Sequence, residues 1–368
     1  EEFVRPVHWV VALFGHEVLE VEIFGCKATN FSCGHRFMHP EPVIILTAKE
    51  YVEKCRDAKV VVDPKEREDL IREKVTTEGL RLGGNIELEN RLVEEVSALV
   101  EWPEVLSGGF DEEFLEIPEE VLISVMKKHQ RYFHLRGRED GRLLAKFITV
   151  TNIVSKKPEV VIQGNERVIK PRLRDAQFFF TNDTKTKLED KLSLLSQVTF
   201  QKELGSYREK ADRVSKLAGH IARQLGWNPK NAERAGLLSK ADLVTNMVEE
   251  FPELQGKMGG YYASIDGELP EVCSAITNHY KPSGPRDVVP ENGIGSAVAL
   301  ADKLDTLVSI FGVGGEPTGS KDPYALRRQT LGVIRIVLVH KLDINVEECL
   351  AKARDGLQES SRSLEEYQ

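Results

Sequence analysis

The sequence is short of cysteine, of long apolar runs and of positive charge, and each shortage excludes something. Five cysteines (Cys26, Cys33, Cys55, Cys273 and Cys349) are few and odd in number. That argues against a secreted disulfide scaffold and for a reducing cytoplasm. No apolar run approaches the ~18–20 residues needed to span a bilayer. The longest, such as Val7 to Phe14, are strand-sized and interrupted. The chain opens Glu-Glu-Phe-Val-Arg, with neither a basic leader region nor an initiator Met, so an excised fragment is the expectation. Net charge is −9. A generic polyanion binder is basic overall, so nucleic-acid contact here has to use local patches on an acidic body. There is no phosphate-cradling glycine loop of the P-loop or dinucleotide kind and no nucleophile elbow. Gly312–Gly315 and Pro317-Thr-Gly-Ser320 are glycine-rich but lack the P-loop lysine and its helix. A self-contained enzyme is therefore hard to assemble from these residues.

What is present is an ordinary globular balance, 41% hydrophobic and 30% charged, over a length of 368 residues that suggests two or three domains. The first 155 or so residues alternate strand and helix signals. Val7, Trp9, Val11 and Leu13 follow period two, as do Val21 and Ile23, with Gly15-His16 between, which predicts a hairpin. Thr47-Ala-Lys-Glu50 has the capping-box pattern and opens a helix to about Ala58. Val60–Val62 is a candidate buried strand. Asp63-Pro64-Lys65-Glu66 supplies a cap, a first-turn proline and an acid before another helix. Residues 87–99 are helical by spacing, and Pro118 starts a further helix. Tyr132–Leu135 and Leu143–Thr151 flank a turn with Asp140-Gly141, a second hairpin. Near Ser155-Lys-Lys-Pro158 the pattern changes and becomes almost wholly helical. Ala211, Val214, Leu217, Ala218, Ile221, Ala222 and Leu225 make one apolar stripe. Residues 235–248 and 297–310 are further helices. The fold class expected is α+β: an amino-side mixed sheet domain followed by an all-helical one.

Four constellations carry possible chemistry. Arg213, Lys216, His220 and Arg223 form a row opposite the apolar stripe, suited to phosphates; spacing alone favours a plain solvated face. Arg167, Lys170, Arg172 and Arg174 lie in a segment holding one acid, Glu166, and Phe178, Phe179 and Phe180 follow. Guanidinium forks suit phosphate geometry. The phenylalanines are expected in the core, and Asp175 and Asp183 are available to pair the arginines. Cys26, Cys33, His35 and His39 fall short of a zinc site, because six residues separate the cysteines. Asp242, His279 and Asp302 follow the order in which helical His…His-Asp…Asp phosphohydrolases hold a divalent ion, but Ala241 stands where the paired His belongs. The set looks like an HD-type domain with a broken metal site, so no metal is expected. The simpler alternative is three polar residues capping or pairing in a bundle.

Longer strings resemble a known family. Phe3-Val-Arg-Pro-Val-His-Trp9, Gly34-His-Arg-Phe37, Leu99-Val-Glu-Trp-Pro103 and His129-Gln-Arg-Tyr-Phe133 come in order. Gly164-Asn-Glu-Arg-Val168, Arg172-Leu-Arg-Asp-Ala-Gln-Phe-Phe179 and Val198-Thr-Phe-Gln-Lys-Glu-Leu-Gly205 follow. Then come Lys240-Ala-Asp-Leu-Val244, Glu250-Phe-Pro-Glu-Leu-Gln-Gly256, Ala299-Leu-Ala-Asp-Lys-Leu-Asp-Thr306 and Pro317-Thr-Gly-Ser-Lys-Asp-Pro-Tyr-Ala-Leu-Arg-Arg328. The series resembles the beta subunit of bacterial two-subunit glycyl-tRNA synthetase. The resemblance implies a central fragment of a cytoplasmic subunit that grips tRNA-Gly, while an alpha subunit uses ATP and Mg to activate glycine. It implies no cofactor in this chain, an inactive isolated fragment, and neither DNA nor membrane as partner. It divides the chain into an α+β domain (1–155), a connecting segment (156–200), a helical HD-like domain with a degenerate metal motif (201–340) and a truncated start of a further helical segment (341–368). The rival classes are an HD-type metal-dependent phosphohydrolase and a purely structural assembly subunit.

Overall fold

A computed structural model of the chain describes residues 7–319 and 321–360. It divides into two compact units, Glu1–Asp175 and Ala176–Gln368. In the first, Asp63 caps helix α1 (Pro64–Arg81) by accepting the Lys65 N–H at 2.8 Å, with Pro64 in the first turn where no amide is needed. Helix α2 (Asn90–Leu99) follows. Together they lay Ile71, Val75, Leu92, Val93 and Val96 on Phe133, Leu135 and Ile148 of a sheet. That sheet is antiparallel throughout. Its strands are β1 (Gly84–Asn85), β2 (Glu104–Gly109), β3 (Phe133–Gly137) and β4 (Leu143–Thr151), in the order β1-β3-β4-β2. The expected second hairpin is β3–β4, with Phe133 opposite Ile148. On the side of β4 that carries Phe147, Tyr132 stacks on that ring at 4.4 Å. Gly108 is required there, because a Cβ would sit 2.5 Å from the Phe147 ring.

The amino-side strands pair differently from the sequence pattern. Gly15, at φ +64°, turns a tight hairpin between Leu13–Phe14 and Glu17–Val18. Glu22–Ile23 instead pairs with Cys26–Thr29, and Val10–Val11 runs parallel to that same strand. The Thr47 hydroxyl bonds the Glu50 carboxylate at 3.0 Å rather than capping the backbone. Val60–Val62 is not a strand. The Arg67 guanidinium takes the Val61 and Val62 carbonyls at 2.6 and 3.0 Å, which removes the acceptors a ladder would use.

Helix α3 (Pro158–Asp183) contains the division between the units, whereas the sequence pattern changes near 155. The described residues of the second unit are helical apart from loops, one isolated bridge between Thr318 and Lys321 and one small ribbon, Thr199–Gln201 with Gly205–Ser206. A complete capping box, Ser206 with Glu209, starts α4 (Tyr207–Gln224). Helices α5 (Pro229–Leu238), α6 (Lys257–Ile265) and α7 (Pro270–Asn278) follow, then α8 (Ile294–Gly312), α9 (Leu326–His340) and α10 (Val346–Ser360). Helix α8 is the axis: α4, α5, α7, α9 and α10 all pack on it, and it is buried nearly all round. The helix expected over 235–248 is broken. The Ser239 hydroxyl bonds the Gly236 carbonyl, a 3-10 turn covers Ala241–Val244, and Thr245 caps a short helix, Asn246–Glu250. The expected further helical segment holds α10, and residues 361–368 lie outside the described ones. The chain is thus α+β, a mixed unit followed by a helical one. No described helix is long and apolar enough to cross a membrane.

Gly236 marks the closest approach of α5 to α4: a Cβ would lie 2.9 Å from Cα of Ser215 and 3.1 Å from its amide nitrogen. Backbone yields less readily than a flexible side chain. Gly236→Ala is therefore expected to lower the urea-unfolding free energy by about 1–3 kcal/mol; an unchanged midpoint would show that the helices separate freely.

Candidate functional site

The central helix α8 carries Asp302, Lys303, Asp305 and Thr306 in an otherwise apolar stretch, all buried. Buried charges need partners, and they come from three neighbouring segments. From α4, Arg213 Nε donates to Asp305 Oδ1 at 2.7 Å and its Nη2 to Oδ2 at 3.2 Å. Lys210 Nζ donates to Asp305 Oδ2 at 3.0 Å and to the Thr306 hydroxyl at 2.8 Å, and lies over the Phe200 ring. It is also 3.3 Å from Asp302 Oδ1, an ion pair without hydrogen-bond geometry. From the break after α5, Lys240 Nζ donates to Asp302 Oδ2 at 3.1 Å and to His279 Nε2 at 2.9 Å, under the Tyr280 ring. Lys303 turns away and donates to the Tyr280 carbonyl at 3.2 Å.

The protonation states follow from these contacts. His279 Nδ1 is 2.6 Å from the Ile276 carbonyl, so Nδ1 carries the proton and Nε2 offers its lone pair to Lys240. Burial, together with the Lys240 ammonium, holds the imidazole well below its usual range and neutral. Burial alone would raise Asp302, but the ammoniums of Lys240 and Lys210 hold it below the usual carboxylate range. Burial, only partly offset by Asp302, brings Lys240 down to about 8. Burial likewise brings Lys303 to about 8.

Of the three expected HD-type positions, His279 and Asp302 meet, but through Lys240. Asp242 does something else. Its Oδ2 accepts the Gly256 and Gly259 amides at 2.5 and 2.9 Å, and Oδ1 is buried without a partner. Burial raises this carboxyl to about 6. These residues do not fit a divalent ion, because the imidazole lone pair it would use is already taken by an ammonium. Among the described residues no group of three or more His, Cys, Asp or Glu side chains is placed to hold a metal. The amino-side candidates are scattered: the Cys26 thiol donates to the Val7 carbonyl, His35 is buried against Asn152, and His39 faces the Glu41 carbonyl.

The basic residues separate in the same way. Arg213 is not on a solvated row: it is 4% exposed, and its charge belongs to Asp305. Lys216 and Arg223 of the same helix do reach solvent, paired with Glu359 and Glu233. On α3, Arg167, Arg172 and Arg174 are exposed, and Lys170 pairs with Asp111 at 2.6 Å. Asp183 pairs with no arginine or lysine among the described residues; it accepts the Asn246 and Met247 amides and the Tyr262 hydroxyl. Phe178 leaves the expected core at 64% exposure, while Phe180 stacks on Tyr262. Sequence reasoning missed Lys210, Lys240, Lys303 and Asp305. The available signal was charge inside an apolar helical run.

Together the fold and the cluster define an α+β protein with a sealed ionic centre and arginines turned outward. The chain belongs to the glycyl-tRNA synthetase beta subunit family, whose model matches residues 1–368. It is 50% identical to the glycine–tRNA ligase beta subunit of Hahella chejuensis over 355 residues, 96% of this chain and 51% of that protein. It is 50% identical to that of Azotobacter vinelandii over 348 residues, 95% of this chain and 51% of the relative. The chain spans about half the length of the curated relatives it matches.

Two outcomes test the cluster. Lys240→Met leaves His279 Nε2 unsatisfied and Asp302 with fewer cations, and is expected to cost about 3 kcal/mol in urea unfolding; a neutral result would show that Lys240 does not hold the cluster together. Asp242 has a folded pKa above its unfolded value, so its contribution is full below about pH 4 and lost as pH rises through about 6. The stability of the native chain relative to Asp242→Asn should therefore fall by on the order of 2 kcal/mol from pH 4 to pH 7. A difference independent of pH would contradict the raised pKa.

Proposed function

We propose that the chain is the tRNA-handling, non-adenylating part of a glycine–tRNA ligase beta subunit. It supports ATP-dependent attachment of glycine to tRNA-Gly in the cytoplasm, beside an alpha subunit that activates glycine with ATP and Mg. The observation that carries this reading is the family match along the whole chain, at 50% identity to glycine–tRNA ligase beta subunits. The sealed cluster supports it from another direction, since Lys240 closes the place where an HD-type phosphohydrolase would need a metal. We read the helical unit as an HD-like scaffold on that basis, with no cofactor of its own.

The phosphate contacts are assigned to α3 first. Arg167 and Arg174 are exposed and make no ion pair among the described residues. Arg172 is exposed beside them, and Lys170 can exchange Asp111 for a phosphate. Lys216 and Arg223 are secondary, because Glu359 and Glu233 must first be displaced. Exposed pairs are worth roughly 1 kcal/mol or less, so a polyanion can displace them. Arg213 drops out of the set.

Filter binding to tRNA-Gly across a salt series, with an unrelated tRNA as control, checks this. Arg167→Ala and Arg174→Ala should each weaken binding and reduce the slope of log K against log salt by about 1. Unchanged affinity and slope in both variants would sink the α3 assignment. Binding to an alpha subunit without any binding to tRNA would favour a purely structural subunit.

A further inference from the structure

The loop 34–39 in the first unit is pinned from beneath and presents an aromatic ring to solvent. His35 is buried; its Nε2–H donates to the Asn152 carbonyl, and its Nδ1 accepts the Phe37 and Met38 amides at 3.3 and 3.2 Å. The His35 amide is tied to the Ala58 carbonyl and its carbonyl to the His39 amide, each at 2.8 Å. Gly34 fits because a Cβ would come within 2.8 Å of the His39 carbonyl oxygen. So held, the loop turns Phe37 outward at 73% exposure, with the Arg36 guanidinium 5.7 Å from its ring centre. Arg36 has no carboxylate partner among the described residues.

Beside this loop lies a surface hollow of 550 Å³, lined by Arg36 and Phe37, by Val60–Val62, by Arg67 and by Leu99–Glu101. Lys59, next to that wall, lies 4.8 Å over the ring of Trp102, next to Glu101. One cation–aromatic pair, Arg36 with Phe37, lines this concave surface, a second is formed by chain neighbours of its lining residues, and the lining has one carboxylate, Glu101. An aromatic face beside an uncommitted guanidinium suits a planar base with a phosphate attached: the ring takes the base, and the cation takes the phosphate.

We propose that this hollow seats an unpaired base of an RNA, stacked on Phe37 with its phosphate on Arg36. The proposal rests on the tRNA-handling reading and adds to it a place where single-stranded nucleotides are held. It is independent of the arginines on α3.

The test uses the whole chain with a tRNA-Gly transcript in a salt series. Phe37→Ala should weaken binding about tenfold or more and leave the salt slope unchanged, because stacking releases no counterions. Phe37→Tyr should bind as the native chain does. Arg36→Ala should flatten the slope by about 0.7, the value for one single-stranded phosphate. Phe37 is exposed, so these variants keep the fold, which circular dichroism checks. If the native chain binds no tRNA, the tRNA-handling reading falls and this proposal with it. If the native chain binds and Phe37→Ala binds equally well, the hollow alone is overturned. Weaker association with a partner subunit at unchanged tRNA affinity would also overturn it and make the hollow a protein-docking surface.

Discussion

Asp302 and Asp305 sit on a helix buried on nearly every side, and two carboxylates in that position set the terms for everything packed around them. Removing a carboxylate from water costs several kcal/mol even after relaxation, and only close cations with good geometry offset it. Lys210 and Arg213 arrive from α4, and Lys240 arrives from the break after α5. Each contact fixes a register. Sliding α4 by one turn along α8 would strand Asp305 without its guanidinium, and extending α5 through Lys240 as regular helix would carry the ammonium off Asp302. The break after Leu238 is thus part of the ionic arrangement, as is the capping box that fixes where α4 begins.

A cluster so arranged is closed to chemistry. The His279 tautomer is the one a metal ligand adopts, with Nδ1 held by a carbonyl and Nε2 free to donate a lone pair. Lys240 receives that lone pair, so the site is satisfied from within. The charge that remains available is on the surface, where ion pairs are weak enough to be exchanged. This gives the chain two populations of basic residues. Lys210, Arg213, Lys240 and Lys303 hold the helical unit together. Arg167, Arg172 and Arg174 on α3, and Arg36 beside Phe37, are turned to solvent. With a net charge of −9, a body of this kind offers a polyanion local positive groups rather than a generally attractive surface.

What could be read from the sequence was whatever depends on local rules. The Asp63-Pro64 cap, the β3–β4 hairpin about Asp140-Gly141, the stripe of α4 and the position of α8 all follow from periodicity and turn chemistry. What could not be read depends on what covers a surface. The spacing of Arg213, Lys216 and Arg223 places them on neighbouring faces of one helix, but does not say that Asp305 approaches the first of them. Lys240 stood in plain view two residues before Asp242, yet helical spacing there suggested a continuous helix, and the break is set by tertiary contacts. The three phenylalanines were legible and misread. Successive helical residues are ~100° apart, so Phe178, Phe179 and Phe180 cannot share one buried face, and Phe178 is the one turned out.

Two of the exposed phenylalanines, Phe178 and Phe37, differ in how they are held. Phe178 lies on a regular helix, where an outward ring is a consequence of the 3.6-residue period. Phe37 lies on a loop whose conformation is set by a buried histidine making three side-chain hydrogen bonds. A flexible loop would let such a ring fold back and recover about 1.5–3 kcal/mol of burial. The His35 contacts prevent that, so ring exposure is built into the loop and compensated by the burial of its neighbour. Rigid presentation also lowers the ordering cost of binding. That is the property a stacking surface needs if it is to hold a nucleotide whose own backbone is loose, and a merely solvated loop has no use for it.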